Sequence, residues 1–255
     1  ASGTGVLVVS RRMAFFPEAT GHTIFTGLAL GLVFALPLDV TSLVFGAGMG
    51  ILIIYLVRHS GLSSDTVIGL VFSGFAALGL ALVSRFPRSQ NLINRYFLGD
   101  VLTVDDRGVV FLLALTLISA GFFFFLYDRF MLACVSPSNR SASPAADYLF
   151  GAFLALVVVI SVQAVGVLMV TALLIAPAAS GRVLARSGRG MFWIALSVSV
   201  VSGQLGLALS YDPRVNTTPG ATVVFIAILI FGISVLLKKT GASLKKKPRP
   251  EAPDS

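Results

Sequence analysis

The chain has 255 residues, 56% of them hydrophobic and 12% charged, with a mean hydropathy of +0.93 and a net charge of +8. Ordinary soluble domains carry about 25% charged residues, so a soluble globular enzyme is excluded. One cysteine, Cys134, excludes an intrachain disulfide, and two histidines, His22 and His59, exclude a multi-histidine metal site within one copy.

The charge is not a nucleic-acid signature. All five lysines, Lys238, Lys239, Lys245, Lys246 and Lys247, lie with Arg249 after the last apolar run, and this stretch holds only Glu251 and Asp254 as acids, so it supplies half of the net charge. The remaining arginines are scattered in short loops without an aromatic-basic patch. A lipid bilayer is the expected surrounding and nucleic acid is not a partner. Under the positive-inside rule the basic tail is a cytoplasmic anchor.

In chain order, Ala1–Ser10 is too short for a span of about twenty residues and reads as the distal half of a membrane helix ending at Arg11 and Arg12. Apolar runs follow at 21–38, 40–57, 67–84 and 109–127, separated by Pro37, by the Arg58–Thr66 loop and by the polar stretch Arg85–Gly108. From Tyr148 to Ala179 the run exceeds what one crossing requires, and Gln163 and Gly166 divide it into two spans, or a span and a re-entrant helix. Two more runs, 191–210 and 221–237, flank the Tyr211–Gly220 turn. Lipid excludes open strands, so the expected fold is an all-α membrane bundle of eight or nine segments, with a permease domain at 1–237 and a disordered basic tail at 238–255. A cytoplasmic tail places Arg182, Arg186 and Arg189, the Tyr127–Asp147 loop, Arg58, Arg11 and Arg12 on the inner side. Gly46, Gly48 and Gly50, and Gly69, Gly74 and Gly79, read as close helix packing.

Only two glutamates occur, and Glu18 lies against an apolar segment with His22 four residues on. That spacing puts both side chains on one helix face, and imidazole with carboxylate suits zinc or manganese. Equally, Pro17 and Glu18 read as an ordinary helix start, with the acid complementing the helix dipole. Two ligands are too few for a zinc site, which normally has four, and a symmetric dimer doubles them. His59 reads as a solvated residue, Asp65 after Ser63-Ser64 as part of a helix start, Asp100 as a loop acid or gate residue, and Pro177 as a kink. No Walker A loop, HExxH pair or Gly-x-Ser-x-Gly elbow is present, so any ATP is bound by a partner.

Several stretches resemble the permeases of bacterial zinc/manganese/iron ABC importers, of the ABC-3 type. They are Ser10-Arg11-Arg12-Met13-Ala14-Phe15 with Glu18-x-x-x-His22, Asp65 to Gly74 with Ala77-Leu78-Gly79-Leu80, Tyr96 to Leu102, Ala164 to Leu168 with Leu173 to Ala179, and Thr218 to Val224. The resemblance implies two copies of a permease joined to two cytoplasmic ABC ATPase subunits in the bacterial inner membrane. An extracytoplasmic solute-binding protein would deliver the ion. It also implies that Glu18 and His22 line the metal pathway at the homodimer centre. The chain departs from the family's usual pattern in carrying Glu18 where Asp is common, and a serine-rich Ser136–Pro144 stretch where an Asp-Pro-Glu-type helix usually faces the ATPase.

The expected function is therefore a non-enzymatic transport subunit for a divalent transition metal, zinc first, with manganese or iron as alternatives, and no permanently bound cofactor. The rival readings are a permease for a chelated metal or other small solute, an intramembrane metal-dependent enzyme, and a purely structural membrane subunit.

Overall fold

In a computed structural model, residues 2–85, 106–135, 144–185, 187–212 and 217–245 are described. They form nine helices: α1 (Ser2–Ser10), α2 (Phe16–Val33), α3 (Leu38–His59), α4 (Ser64–Val83), α5 (Asp106–Val135), α6 (Pro144–Val165), α7 (Val167–Leu184), α8 (Gly188–Ser210) and α9 (Pro219–Lys245). The all-α expectation holds. Among the described residues, six helices, α3, α4 and α6 to α9, are long and apolar enough to cross a membrane. The last helix continues into the basic stretch as far as Lys245.

The long apolar run divides at Gly166, whose φ of +84° is a backbone state that glycine adopts freely. Asp147, near the start of α6, bonds Arg11, and Arg182, near the end of α7, bonds the Val9 carbonyl. Both ends thus meet the end of α1, so α6 and α7 fold back on one another as a hairpin. Arg11, Arg58, Asp147 and Arg182 accordingly share one end of the bundle, the grouping that the charge pattern predicts.

The α3–α6 seam is antiparallel and in register. Arg58 meets Asp147, and Gly151 sits where an added Cβ would strike Ile54. Gly50 faces Ala155, Gly46 faces Val159, and Gln163 bonds Ser42. Each step of four along α3 matches a step of four back along α6, so one ridge of each helix carries the contact.

Helix α2 occupies the interior, packed on α3, α4, α6 and α7. The main core joins Phe16, Ile24 and Leu28 of α2 with Ile53, Ile68 and Leu154, all fully or nearly fully buried. Its threonines Thr20, Thr23 and Thr26 are buried too. Thr23 returns its hydroxyl to the Thr20 carbonyl at 2.8 Å, and Thr26 donates to the Phe75 carbonyl of α4 at 2.6 Å.

The glycine expectation needs correction. Gly46, Gly50 and Gly79 lie at close helix approaches, whereas Gly48, Gly69 and Gly74 have nothing within 4 Å of an added Cβ. The latter three face outward, where small size serves no contact within this chain.

Candidate functional site

The turn between α1 and α2 determines where Glu18 and His22 stand. At the end of α1, Arg12 adopts φ +56° while its N–H bonds the Val9 carbonyl and the Met13 N–H bonds the Val8 carbonyl. This is the Schellman ending of a helix, with arginine in place of the usual glycine. Met13, Phe16 and Pro17 are buried, so the chain enters α2 inside the bundle. Pro17 lies in the first helical turn and Glu18 follows in the same turn.

Glu18 and His22 project from one face, with His22 Nε2 4.0 Å from Glu18 Oε1. Two metal–ligand bonds of about 2.0–2.2 Å each reach across such a gap, so a single ion fits between the donors after slight closure. The His22 ring also packs edge-on against Phe72 of α4, with centroids 5.1 Å apart, and lies 6.1 Å from Phe25. The His22 side chain is 19% exposed and that of Glu18 48%.

Depth follows from the α2–α4 register. His22 meets Phe72 and Thr26 meets Phe75, so the two helices run parallel. Phe72 is about 12 Å along α4 from Ser64 at 1.5 Å per residue, near the middle of a 20-residue helix. Glu18 lies one turn, about 6 Å, nearer the Ser64 end. Most of α2 is enclosed, and it reaches the outside of the chain along the strip holding Glu18, His22 and Phe25. One flank of that strip is Phe72 of α4; the other is α7, whose Val167 would meet a Cβ on Gly21 at 3.3 Å. Among the described residues no group of three or more His, Cys, Asp or Glu side chains could hold an ion. The pair therefore offers two ligands and an open side.

The other sequence candidates separate from this pair. Asp100 lies outside the described residues. His59 ends α3, exposed, stacked on Tyr55 and bonded through Nδ1 to the Tyr55 carbonyl at 2.8 Å. Asp65 sits in the first turn of α4, where Ser63 caps the helix by accepting from the Thr66 N–H at 3.2 Å. Pro177 is inside α7 and buried.

A charged cluster escaped the sequence reading. Asp147 accepts from Arg11 Nη1 at 2.9 Å through Oδ1 and from Arg58 Nη1 at 2.5 Å through Oδ2. The Arg11 side chain is 7% exposed and its guanidinium lies 4.3 Å from the Phe150 ring centroid. These residues are 136 and 89 positions apart in sequence. The available signal was a lone acid at the head of an apolar span.

Comparison with known proteins places these features in context. The profile described as ABC 3 transport family matches residues 1–238. The manganese import system permease protein of Streptococcus gordonii is 28% identical over 97% of this chain and 89% of its own length. A manganese transport system membrane protein of Listeria innocua is 30% identical over 95% of this chain and 88% of its own length. A chelated iron transport system membrane protein of Yersinia pestis is 32% identical over 90% and 77%. Among solved structures, PsaBC from Streptococcus pneumoniae in complex with Fab has a chain that matches with a TM-score of 0.79 and 25% identity, over 96% of this chain and 90% of that one.

Proposed function

Because this chain belongs to the ABC 3 transport family and is a multi-pass membrane permease subunit rather than an ATPase, we propose that two copies of it form the inward path for a divalent transition metal, with Glu18 and His22 of both copies as transient ligands. The observation that carries this reading is the half-exposed carboxylate of Glu18 beside His22, about one turn short of the middle of an apolar bundle. A charge at the centre of a membrane helix costs roughly 3 kcal/mol on insertion scales, and one a turn nearer the surface carries part of that cost. A facing copy removes that cost by replacing lipid with two further ligands and the ion's own charge. The manganese and iron names of the relatives support those two cargoes ahead of zinc.

Energy comes from ABC ATPase subunits docked on the basic end of the bundle, which faces the cytoplasm together with the C-terminus in the inner membrane. A solute-binding protein delivers the ion from the opposite side. Each ligand pair holds the ion loosely enough to release it, as conduction requires. Asp100 remains a proposed gate residue. A chelated ion is the second reading, favoured by the name of the Yersinia relative.

The test is uptake of manganese, iron and zinc by vesicles holding the permease with its ATPase and binding protein. ATP-dependent uptake that disappears in Glu18→Ala and in His22→Ala, with both variants inserted normally, is the expected result. Wild-type uptake by both variants would sink the site, and uptake of a chelate but of no free ion would favour the second reading.

A further inference from the structure

The turn that carries Glu18 is fastened to the rest of the protein at two points on the basic end. Arg11, the first residue after α1, is bound by Asp147 at 2.9 Å, and Asp147 also holds Arg58 at the end of α3. On the other side, Arg182 donates to the Val9 carbonyl at 2.8 Å. That carbonyl already accepts from Arg12, so the second fastener grips the same helix ending. Between these points the backbone is set by the Schellman hydrogen bonds and by the buried Met13 and Phe16. Glu18 follows Arg11 by seven residues, all within this turn and the first turn of α2.

The two fasteners come from places of the same kind. Asp147 lies in the first turn of α6 and Arg182 in the last turn of α7, both on the basic end. Both helix ends lie at the end of the bundle where the ATPase is expected to dock.

Resting on the transport reading above, we propose that Asp147 and Arg182 are positioning residues that tie the α1–α2 turn, and with it Glu18, to the start of α6 and the end of α7 on the basic end. Displacement of either helix end then shifts the head of α2 as a unit, because the turn between has no glycine and is held by its own hydrogen bonds. Asp147 acts as a bridge between two cations. Arg182, exposed and with a neutral acceptor, is the more easily broken contact.

Asp147→Asn and Arg182→Met separate this role from a structural one in the full importer. Metal uptake should fall roughly tenfold, the usual scale of a coupling energy, while ATP hydrolysis by the assembled complex persists. Asp147→Glu and Arg182→Lys should restore much of the uptake, because each keeps the charge. Normal uptake in both disruptive variants would overturn the proposal, as would a parallel loss of uptake, ATP hydrolysis and thermal stability in both. Arg182→Met touches an exposed helix end and keeps the experiment decisive should Asp147→Asn fail to accumulate. Glu18→Ala is run alongside: if it transports normally, the metal path itself is wrong. If it is inactive while Asp147→Asn and Arg182→Met transport normally, only the positioning role fails.

Discussion

Gly48 and Gly50 lie two residues apart in α3, in the same Gly46-Ala47-Gly48-Met49-Gly50 motif, and alanine should have opposite effects at the two. A Cβ on Gly50 would lie 2.5 Å from the Gly151 carbonyl oxygen and 2.7 Å from the Ala155 Cβ. Neither neighbour can swing aside, since one is backbone and the other is the first atom of a side chain. Overpacking of this kind costs about 1–3 kcal/mol, and the better helix propensity of alanine returns up to about 1 kcal/mol. The net loss at Gly50 is therefore up to about 2 kcal/mol. At Gly48 nothing lies within 4 Å, so only the propensity gain of up to about 1 kcal/mol remains. Because both variants gain the same helix propensity, they should differ by the overpacking cost of about 1–3 kcal/mol, and at about 2–4 °C per kcal/mol for a chain of this size their unfolding midpoints should be separated by about 2–12 °C. Thermal unfolding of the detergent-purified protein, followed by helix circular dichroism, reads this directly. Equal midpoints, or a Gly50→Ala protein more stable than Gly48→Ala, would refute the α3–α6 register, because every contact from Arg58·Asp147 to Ser42·Gln163 depends on that close approach.

Two further outcomes test the local backbone. Ser63→Ala should lose about 1 kcal/mol through the missing cap of α4, whereas Ser63→Asp, which can still accept from the Thr66 N–H, should keep most of it; the same unfolding measurement distinguishes them. Ala35, which ends α2 at φ +52° with the Leu36 N–H bonded to the Gly31 carbonyl, should gain stability as Ala35→Gly. Relief of a left-handed residue is worth about 1–2 kcal/mol, partly offset by about 0.5–1 kcal/mol of extra unfolded-state entropy, and a lower midpoint would argue against that turn.

Most of the helices were legible because lipid leaves an apolar run few alternatives. Gly166 was readable as the divider of the long run for the same reason that it acts as one, its freedom at positive φ. The glycines were only half readable: periodicity shows that a residue is small, but whether Gly48 or Gly50 meets a neighbour depends on which ridge of α3 faces α6. Spacing alone brought Glu18 and His22 together, since four residues on a helix need no tertiary knowledge. The Arg11–Asp147–Arg58 cluster could not be read this way, because its members belong to three helices and only the folded hairpin of α6 and α7 brings Asp147 back to α1.

The decisive point for the site is where α2 begins. By sequence, Pro17 and Glu18 have the signature of a helix start at a membrane surface, where an acid is cheap and complements the helix dipole. In the fold that start is internal: Phe16 and Pro17 are buried, and the next turn lies level with the middle of α4. Elsewhere the acids and bases of the apolar helices stand at their ends, as with Asp39 and Arg58 in α3, Asp65 in α4 and Arg182 in α7. Glu18 and His22 differ in depth rather than in position along their own helix, so a dipole argument that ignores depth accounts for the residue types but not for their location. The three buried threonines of α2 sharpen the contrast. Thr23 and Thr26 turn their hydroxyls to backbone carbonyls inside the bundle, whereas the ionisable pair faces outward. Capping alone accounts for an acid in the first turn of a helix, but not for a histidine one turn further on beside it, facing outward between α4 and α7.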